Sequence, residues 1–233
     1  MTPYYDDGTC TIYHADCLTI WPEWDRPGAV MVTDPPYGRR FIGNQSQTGP
    51  TRPIAGDDDP RVRDAALALW RGRPALVFGT WQIERPRGVR HVLIWDKANI
   101  GMGDLAFPWG PGHEEIYVLG YGYTGTRRTS VLRVQTQNGF DTSKQRAWGT
   151  FHPTAKPVPL LRALIDCCPP GATIVDPFTG SGTTLRAAKD LGRRAVGVEI
   201  EEAYCEQAAN RLAQEVLPLE PPAEPYEQQA SLL

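Results

Sequence analysis

The stretch from Thr173 to Ile200, TIVDPFTGSGTTLRAAKDLGRRAVGVEI, reads as strand, glycine loop, helix and strand in immediate succession. An apolar β-forming run ends in Asp176, a tight Gly-Ser-Gly loop follows, GTTLRAAKDLG has helical composition and a glycine stop, and RAVGVEI is again β-forming. Glu199 closes that second strand 23 residues after Asp176. Glycines at 180 and 182 around Ser181 let the backbone approach a ligand, and the helix that follows offers free N–H groups. An acid at the end of the second strand is placed to hold two ribose hydroxyls. The unit is a cradle for a nucleoside cofactor. Leu185 stands where a dinucleotide fingerprint needs its third glycine, and no Gly-Lys-Ser/Thr follows for a triphosphate. On these residues alone a NAD site, or a purely structural turn, stays open.

Outward from this unit the chain alternates in the same way. Apolar runs occur at CTIYH (10–14), AVMVT (29–33), PALVFG (74–79), HVLIW (91–95) and EIYVLG (115–120). Most are short and continuous, as in a sheet covered on both faces. Helices fit between them. Asp59 as N-cap with Pro60 at the first helical position opens RVRDAALALWRG, which stops at Gly72. PVPLLRALIDCC runs into Pro169-Pro170-Gly171, and EEAYCEQAANRLAQEV sets Tyr204, Ala208 and Leu212 on one face. The expectation is an α/β doubly wound sheet in one domain over residues 1–217. The Pro/Glu-rich segment 218–233 is expected to be disordered, and the Gly/Gln/Thr-rich stretch 39–59, with Arg39, Arg40 and Arg52, reads as a lid that orders on DNA binding or as a merely flexible loop.

With 233 residues the chain can bury one good core. No apolar run approaches the length of a membrane span, and MTPYYDDGT is no signal peptide, so a soluble cytoplasmic protein is expected. Five cysteines form no CxxC pair and no zinc-like spacing with histidine; they read as buried thiols, and no metal is expected. The net charge of −3 hides an uneven distribution. Between Tyr121 and Ala163 seven Lys/Arg (Arg127, Arg128, Arg133, Lys144, Arg146, Lys156, Arg162) face one acid, Asp141, for a net +6. The last 35 residues carry eight Glu against one Arg. The basic segment is interleaved with Tyr121, Tyr123, Phe140, Trp148 and Phe151, a mixture suited to phosphate neutralisation and base stacking, although a solvated basic loop has the same composition.

A second motif ends the AVMVT run: DPPY, residues 34–37. In a doubly wound sheet its loop lies at the same carboxyl edge as the glycine loop. The prolines fix φ and remove N–H donors, leaving carbonyls to face a ligand. Asp34 offers one acceptor, the Pro35 carbonyl a second, and Tyr37 a ring face. Such a pocket suits an NH2 group on a flat ring, with its lone pair drawn out of conjugation and aimed at an electrophile; DPPY alone also reads as a rigid proline turn on a strand end.

TDPPYG and DPFTGSG together resemble the catalytic and cofactor motifs of the amino-group DNA methyltransferases, which use S-adenosylmethionine and act at adenine N6 or cytosine N4. The catalytic motif precedes the cofactor loop, as in the β class, so the resemblance implies a Rossmann-like methyltransferase sheet, circularly permuted. It implies Asp34, Pro35, Pro36 and Tyr37 as catalytic residues, and Pro177 and Phe178 beside Asp176 in the cofactor site. YHADCL is similar to an early strand whose acid, Asp16, meets the cofactor adenine, although Asp16 also reads as a helix N-cap. LIWDK (93–97) and His113-Glu114 resemble middle strands, the latter as readily structural as functional. HPTAKPVPL is similar to the start of the cofactor half, with His152, Thr154 and Lys156 near the methionine end; Lys156 facing a DNA phosphate is the other reading. Trp81 and Trp95 read as core aromatics. Target recognition is expected in a short basic insertion at about 121–150, and double-stranded DNA as partner through Arg39, Arg40, Arg127, Arg128, Arg133, Lys144 and Arg146. A homodimer stays open.

The resemblance implies direct methyl transfer to a flipped-out adenine, with Asp34 positioning the amine first and accepting its proton second. The sequence has no Pro-Cys step of the kind a cytosine C5 enzyme needs. Alternatives are a cytosine N4 enzyme, an RNA or protein N-methyltransferase, whose motif order would be reversed, and a DNA-binding partner with a decayed site. A NAD enzyme leaves DPPY without a role.

Overall fold

The computed structural model describes residues 1–37, 60–98, 105–135 and 156–214. The expectations for Arg39, Arg40, Arg52, Lys144, Arg146, His152, Thr154 and the tail after Leu217 fall outside these residues. Among the described residues one sheet of nine strands forms: β1 (Tyr5–Asp6), β2 (Cys10–His14), β3 (Val30–Thr33), β4 (Ala75–Gly79), β5 (Val89–Asp96), β6 (His113–Leu119), β7 (Val131–Arg133), β8 (Ile174–Asp176) and β9 (Ala195–Glu199). The helices are α1 (Trp21–Trp24), α2 (Arg61–Trp70), α3 (Val158–Ile165), α4 (Thr183–Asp190) and α5 (Glu202–Ala213).

The order across the sheet is β1-β2-β9-β8-β3-β4-β6-β5-β7. Strands β2, β9, β8, β3 and β4 are mutually parallel, and β6 runs antiparallel between β4 and β5. The carboxyl ends of β2, β9, β8, β3, β4 and β5 therefore share one edge, and β6 brings its first residues there. Glu115 is level with Gly79 and His113 with Asp96. The α/β doubly wound expectation describes this sheet, and the strand bearing DPPY precedes the strand bearing the glycine loop.

Alternation along the strands explains why the runs are apolar throughout. Val30, Val32, Leu76, Phe78 and Ile174 face one core with Leu160, Leu161, Leu164 and Ile165 of α3, Leu185 of α4 and Ala208 and Leu212 of α5. Met31, Ala75, Val77, Val175, Val196 and Val198 face the other, with Trp24 and Trp70. Helices on both faces leave no solvated side for polar residues. Arg73 closes the second core: its guanidinium lies 3.6 Å from the Trp70 ring centroid and bonds Asp25 at 2.7 Å.

Several local expectations shift. Strands β1 and β7 are too short to carry a readable alternation, and α1 holds a single turn with Pro22 near its start. Helix α2 begins at Arg61, one residue later than expected, with Pro60 rather than Asp59 in the N-cap position, and ends through Arg71 at φ 57°. In α5 the fully buried stripe is Cys205, Ala208 and Leu212, with Tyr204 half-buried beside it. Trp95 is a core aromatic, but Trp81 is 69% exposed, because it sits two residues beyond β4 where the sheet no longer covers it. Cys10, Cys17, Cys168 and Cys205 are buried free thiols and Cys167 is half-buried.

Gly197 in β9 lies against the cofactor loop: a Cβ there would come within 2.2 Å of Thr179 Oγ1 and 2.9 Å of Leu185. Gly197→Ala is expected to lower stability by about 1–3 kcal/mol, read by urea denaturation, because backbone and loop must part to admit the methyl.

Candidate active site

The glycine loop forms where β8 stops. Thr179 N–H donates to Val198 O at 3.0 Å and its hydroxyl to Asp176 O at 2.9 Å, so the loop folds back over β9. Gly180 and Gly182 hold φ of 50° and 78°, left-handed values that Gly tolerates, and a Cβ on Gly182 would meet Ala208 at 2.7 Å. Glu199 braces the loop: its Oε2 accepts from Gly180 N–H at 2.8 Å and its Oε1 from Glu201 N–H at 2.9 Å. Ser181 is 3% exposed, and its Oγ is a buried side-chain atom with no hydrogen-bond partner among the described residues. An orphaned hydroxyl between two left-handed glycines, ahead of a helix N-terminus, fits a polar nucleoside cofactor. Pro177 is buried and Phe178 half-buried beside it.

Asp16 follows β2, which is bound to β9 through Ala15 N–H to Glu199 O at 2.9 Å. It therefore lies on the cradle edge, while its Oδ1 accepts from Leu18 N–H at 2.8 Å in the manner of an N-cap. Both roles fit one carboxylate with two oxygens.

Asp176 links the cradle to DPPY. Its Oδ1 accepts Thr33 Oγ1–H at 2.6 Å and Phe178 N–H at 3.1 Å. Burial raises its carboxyl to about 6 despite those donors. Burial likewise raises Glu199, against the N–H groups it accepts.

One step beyond β3 lies a compact ionic cluster. Asp34 Oδ2 accepts from Lys156 Nζ at 2.6 Å and Asp34 Oδ1 from the Tyr37 hydroxyl at 2.7 Å. Lys156, at the entry to α3, is 6% exposed and also reaches Glu114 Oε2 at 3.2 Å. The Tyr37 hydroxyl lies 3.3 Å from the same Glu114 oxygen, and Lys97, just past β5, holds Glu114 Oε1 at 2.7 Å. Lys156 Nζ stands 5.2 Å from the Phe78 ring centroid and 5.6 Å from that of Tyr37.

The energetics of this cluster follow from burial. Desolvating a lone ammonium costs several kcal/mol, so Lys156 is tolerated only with its two carboxylates. Burial pulls its pKa down, but Asp34 and Glu114 outweigh that and raise it. Burial pushes Glu114 up, and Lys156 with Lys97 pull it below its ordinary value. Asp34 goes the other way: burial, reinforced by Glu114, exceeds the pull of Lys156, and its carboxyl is raised. Burial and the two acids raise Tyr37 well above an ordinary phenol, so its hydroxyl is a donor at neutral pH. Asp34 keeps 25% of its side chain open, against 17% for Glu114 and 6% for Lys156.

Lys156 is thus turned into the cluster rather than out to a phosphate. The sequence did not single out Lys97, Thr33 or Phe78, and gave Glu114 no definite role. Their only signal was position: each lies within two residues of an expected strand end. Of the basic residues, Arg127 is exposed, Arg128 lies 3.6 Å from Asp166 and Arg133 3.6 Å from Asp96. Tyr121 is exposed under Arg90, whereas Tyr123 bonds Leu119 O at 2.9 Å and packs against the core. Phe140, Trp148 and Phe151 lie outside the described residues. No helix among them is long and apolar enough to cross a membrane.

A nucleoside cradle and an acid-proline turn joined through Thr33 and Asp176 fit an amino-group methyltransferase that takes its methyl from S-adenosylmethionine. The comparisons place the chain more narrowly. The sequence profile of the N6/N4 DNA methylases matches residues 82–210. YubD of Escherichia coli (strain K12), a methylase by name, is 32% identical over 217 residues, spanning 85% of this chain and 88% of that protein. The type II methyltransferase M2.DpnII of Streptococcus pneumoniae is 45% identical over 75 residues, 32% of this chain and 28% of its own length. Among solved structures, the PvuII cytosine-N4-specific DNA methyltransferase superposes with a TM-score of 0.67 at 14% identity, covering 93% of this chain and 90% of that one. The M1.HpyAVI complex with S-adenosylmethionine gives 0.60 at 20% identity, covering 87% and 99%. The chain belongs to the N6/N4 amino-group DNA methylase family.

Asp176 carries a testable sign. Its folded pKa, about 6, exceeds the ordinary 3.8, so its contribution to stability is full below 3.8 and is lost as pH rises through 6. Asp176→Asn is therefore expected to gain stability relative to the wild type between pH 4.5 and 7.5, by up to ~3 kcal/mol for a shift of about two units, measured as paired urea midpoints without cofactor.

Proposed function

We propose that this DNA methyltransferase methylates adenine N6 in a base turned out of duplex DNA. The observation that carries the reading is the Asp34 carboxylate, held by Lys156 and Tyr37 yet a quarter open, one residue from the Thr33 bond to the cofactor loop. An acceptor so fixed, with the Pro35 carbonyl beside it, takes the two N–H groups of an exocyclic amine and draws the nitrogen lone pair out of conjugation with the ring.

Bound S-adenosylmethionine supplies an electrophilic methyl on a sulfonium. The loop residues Asp176, Pro177, Phe178, Gly180, Ser181 and Gly182, with Glu199 and Asp16, would hold it; His152 and Thr154 belong to the same proposed set. With the methyl that the cofactor would supply, the amine nitrogen would be left with one proton to shed. Asp34 orients the amine and takes that proton, and Tyr37 offers its ring to the base. Pro35 and Pro36 fix the turn and withhold N–H donors that would compete for the acceptors. No covalent enzyme adduct is needed.

Duplex binding is assigned to Arg39, Arg40, Arg127, Arg128, Arg133, Lys144 and Arg146, with target reading in the basic segment at about 121–150. The motif order, proline turn before glycine loop, speaks against an RNA or protein N-methyltransferase. Two outcomes follow. Unmethylated genomic DNA incubated with methyl-labelled cofactor, then digested to nucleosides, is expected to yield label in N6-methyladenine by mass spectrometry; label confined to N4-methylcytosine would change the base, and unlabelled DNA would overturn the reading. Replacing Arg127 and Arg128 by Ala is expected to weaken duplex binding and lower the slope of log K against log salt by about 1–2; an unchanged slope would move the interface elsewhere.

A further inference from the structure

Resting on that reading, we propose that Glu114, pinned by Lys97, is a positioning residue of the transfer site: it holds Lys156 and receives the Tyr37 hydroxyl, so that Asp34 can present a free carboxylate oxygen to the target amine.

The geometry makes Glu114 the hub. Its Oε1 is fixed by Lys97 at 2.7 Å, and its Oε2 is shared by Lys156 at 3.2 Å and the Tyr37 hydroxyl at 3.3 Å. The result is a chain of alternating charge, Lys97, Glu114, Lys156, Asp34, from the end of β5 to the transfer site. Both Asp34 oxygens are already engaged, Oδ2 by Lys156 and Oδ1 by Tyr37. An incoming amine competes with Tyr37 for Oδ1. A buried phenol that gives up its only acceptor costs about 1–3 kcal/mol. Glu114 Oε2 is the second acceptor already within reach, so the hydroxyl can move to it while the ring stays to meet the base. Register supplies the placement: β6 runs against its neighbours, with Glu114 opposite Trp95 at the end of β5. The Trp95 ring lies 5.3 Å from Lys97 Nζ.

Among the described residues, the ionisable groups that Glu114 meets are Asp34 and Tyr37 from the turn after β3, Lys97 just past β5 and Lys156 from the entry to α3. Removing the Glu114 charge relieves Asp34 of a repelling neighbour and deprives Lys156 of one of two partners. Asp34 then ionises at lower pH, and Lys156 loses its proton at lower pH. Both limbs of the pH profile of kcat/KM should therefore move down together.

The test compares Glu114→Gln, Lys97→Met and the double variant with wild type in full-length protein on duplex DNA, reading kcat, KM for DNA, cofactor Kd and the pH profile. The expected result for Glu114→Gln is a kcat at least tenfold lower, a cofactor Kd within twofold of wild type and both limbs displaced to lower pH. Lys97→Met, at the end of the chain away from the transfer site, should show a smaller fall in kcat, and the double variant should be no worse than Glu114→Gln alone. Lys97→Met carries the test should Glu114→Gln fail to fold. Superimposable pH profiles with kcat within twofold of wild type, or cofactor affinity lost in step with kcat, would overturn the role. Wild-type protein leaving DNA unlabelled would overturn the reading of the site itself, whereas wild-type labelling with unaltered variants would overturn only the role of Glu114.

Discussion

The hydrogen bond from Thr33 Oγ1 to Asp176 Oδ1, 2.6 Å long, joins residues 143 positions apart and closes the parallel pairing of β3 with β8. On that pairing the rest of the site depends. Val30 lies level with Ile174 and Met31 with Val175, so the two strands end together and their loops emerge side by side. A slip of one residue would send every side chain of β3 to the opposite face, exchanging Val30 and Val32 for Met31 in the packing against α3. Register is therefore set by two buried faces at once, and the acid-proline turn cannot drift from the cofactor loop without breaking a core.

Against that rigid sheet the ionic cluster behaves differently. Four charged side chains and a phenol meet at the carboxyl edge, where burial opposes every charge and only mutual pairing keeps them ionised. Glu114, with two lysines, stays a carboxylate below its usual range, while Asp34, with one lysine and more open to substrate, is raised. In the proposed mechanism the difference separates their tasks. A carboxylate that remains charged can hold partners in place, and one nearer its proton affinity can take the proton released by a methylated amine.

The fold was largely legible because strands buried on both faces write themselves as apolar runs, and because glycines and prolines mark where those runs stop. CTIYH, AVMVT and RAVGVEI all fall on strands within one residue of their ends. What escaped was short or lay across the sheet. Strands β1 and β7 have no period to read, and Trp81, apolar in composition, stands outside the sheet because the chain has already left it. In the site, DPPY and the glycine loop announced themselves through residue types that neither helix nor strand favours. Glu114 and Lys97 did not, since an acid opening one strand and a lysine leaving another look like ordinary solvated ends. They meet only because β6 reverses between β4 and β5, a fact of topology that local pattern does not carry.

The central claim is that Asp34 does the chemistry's positioning while a separate set of residues holds the cofactor. The direct measurement is the single-turnover methylation rate of Asp34→Ala on duplex DNA, with cofactor binding measured by calorimetry on the same preparation. A rate reduced about a hundredfold or more, with cofactor Kd within twofold of wild type, is the expected result. Wild-type turnover with the cofactor still bound would contradict the account, because the amine would then be oriented by something other than the Asp34 carboxylate.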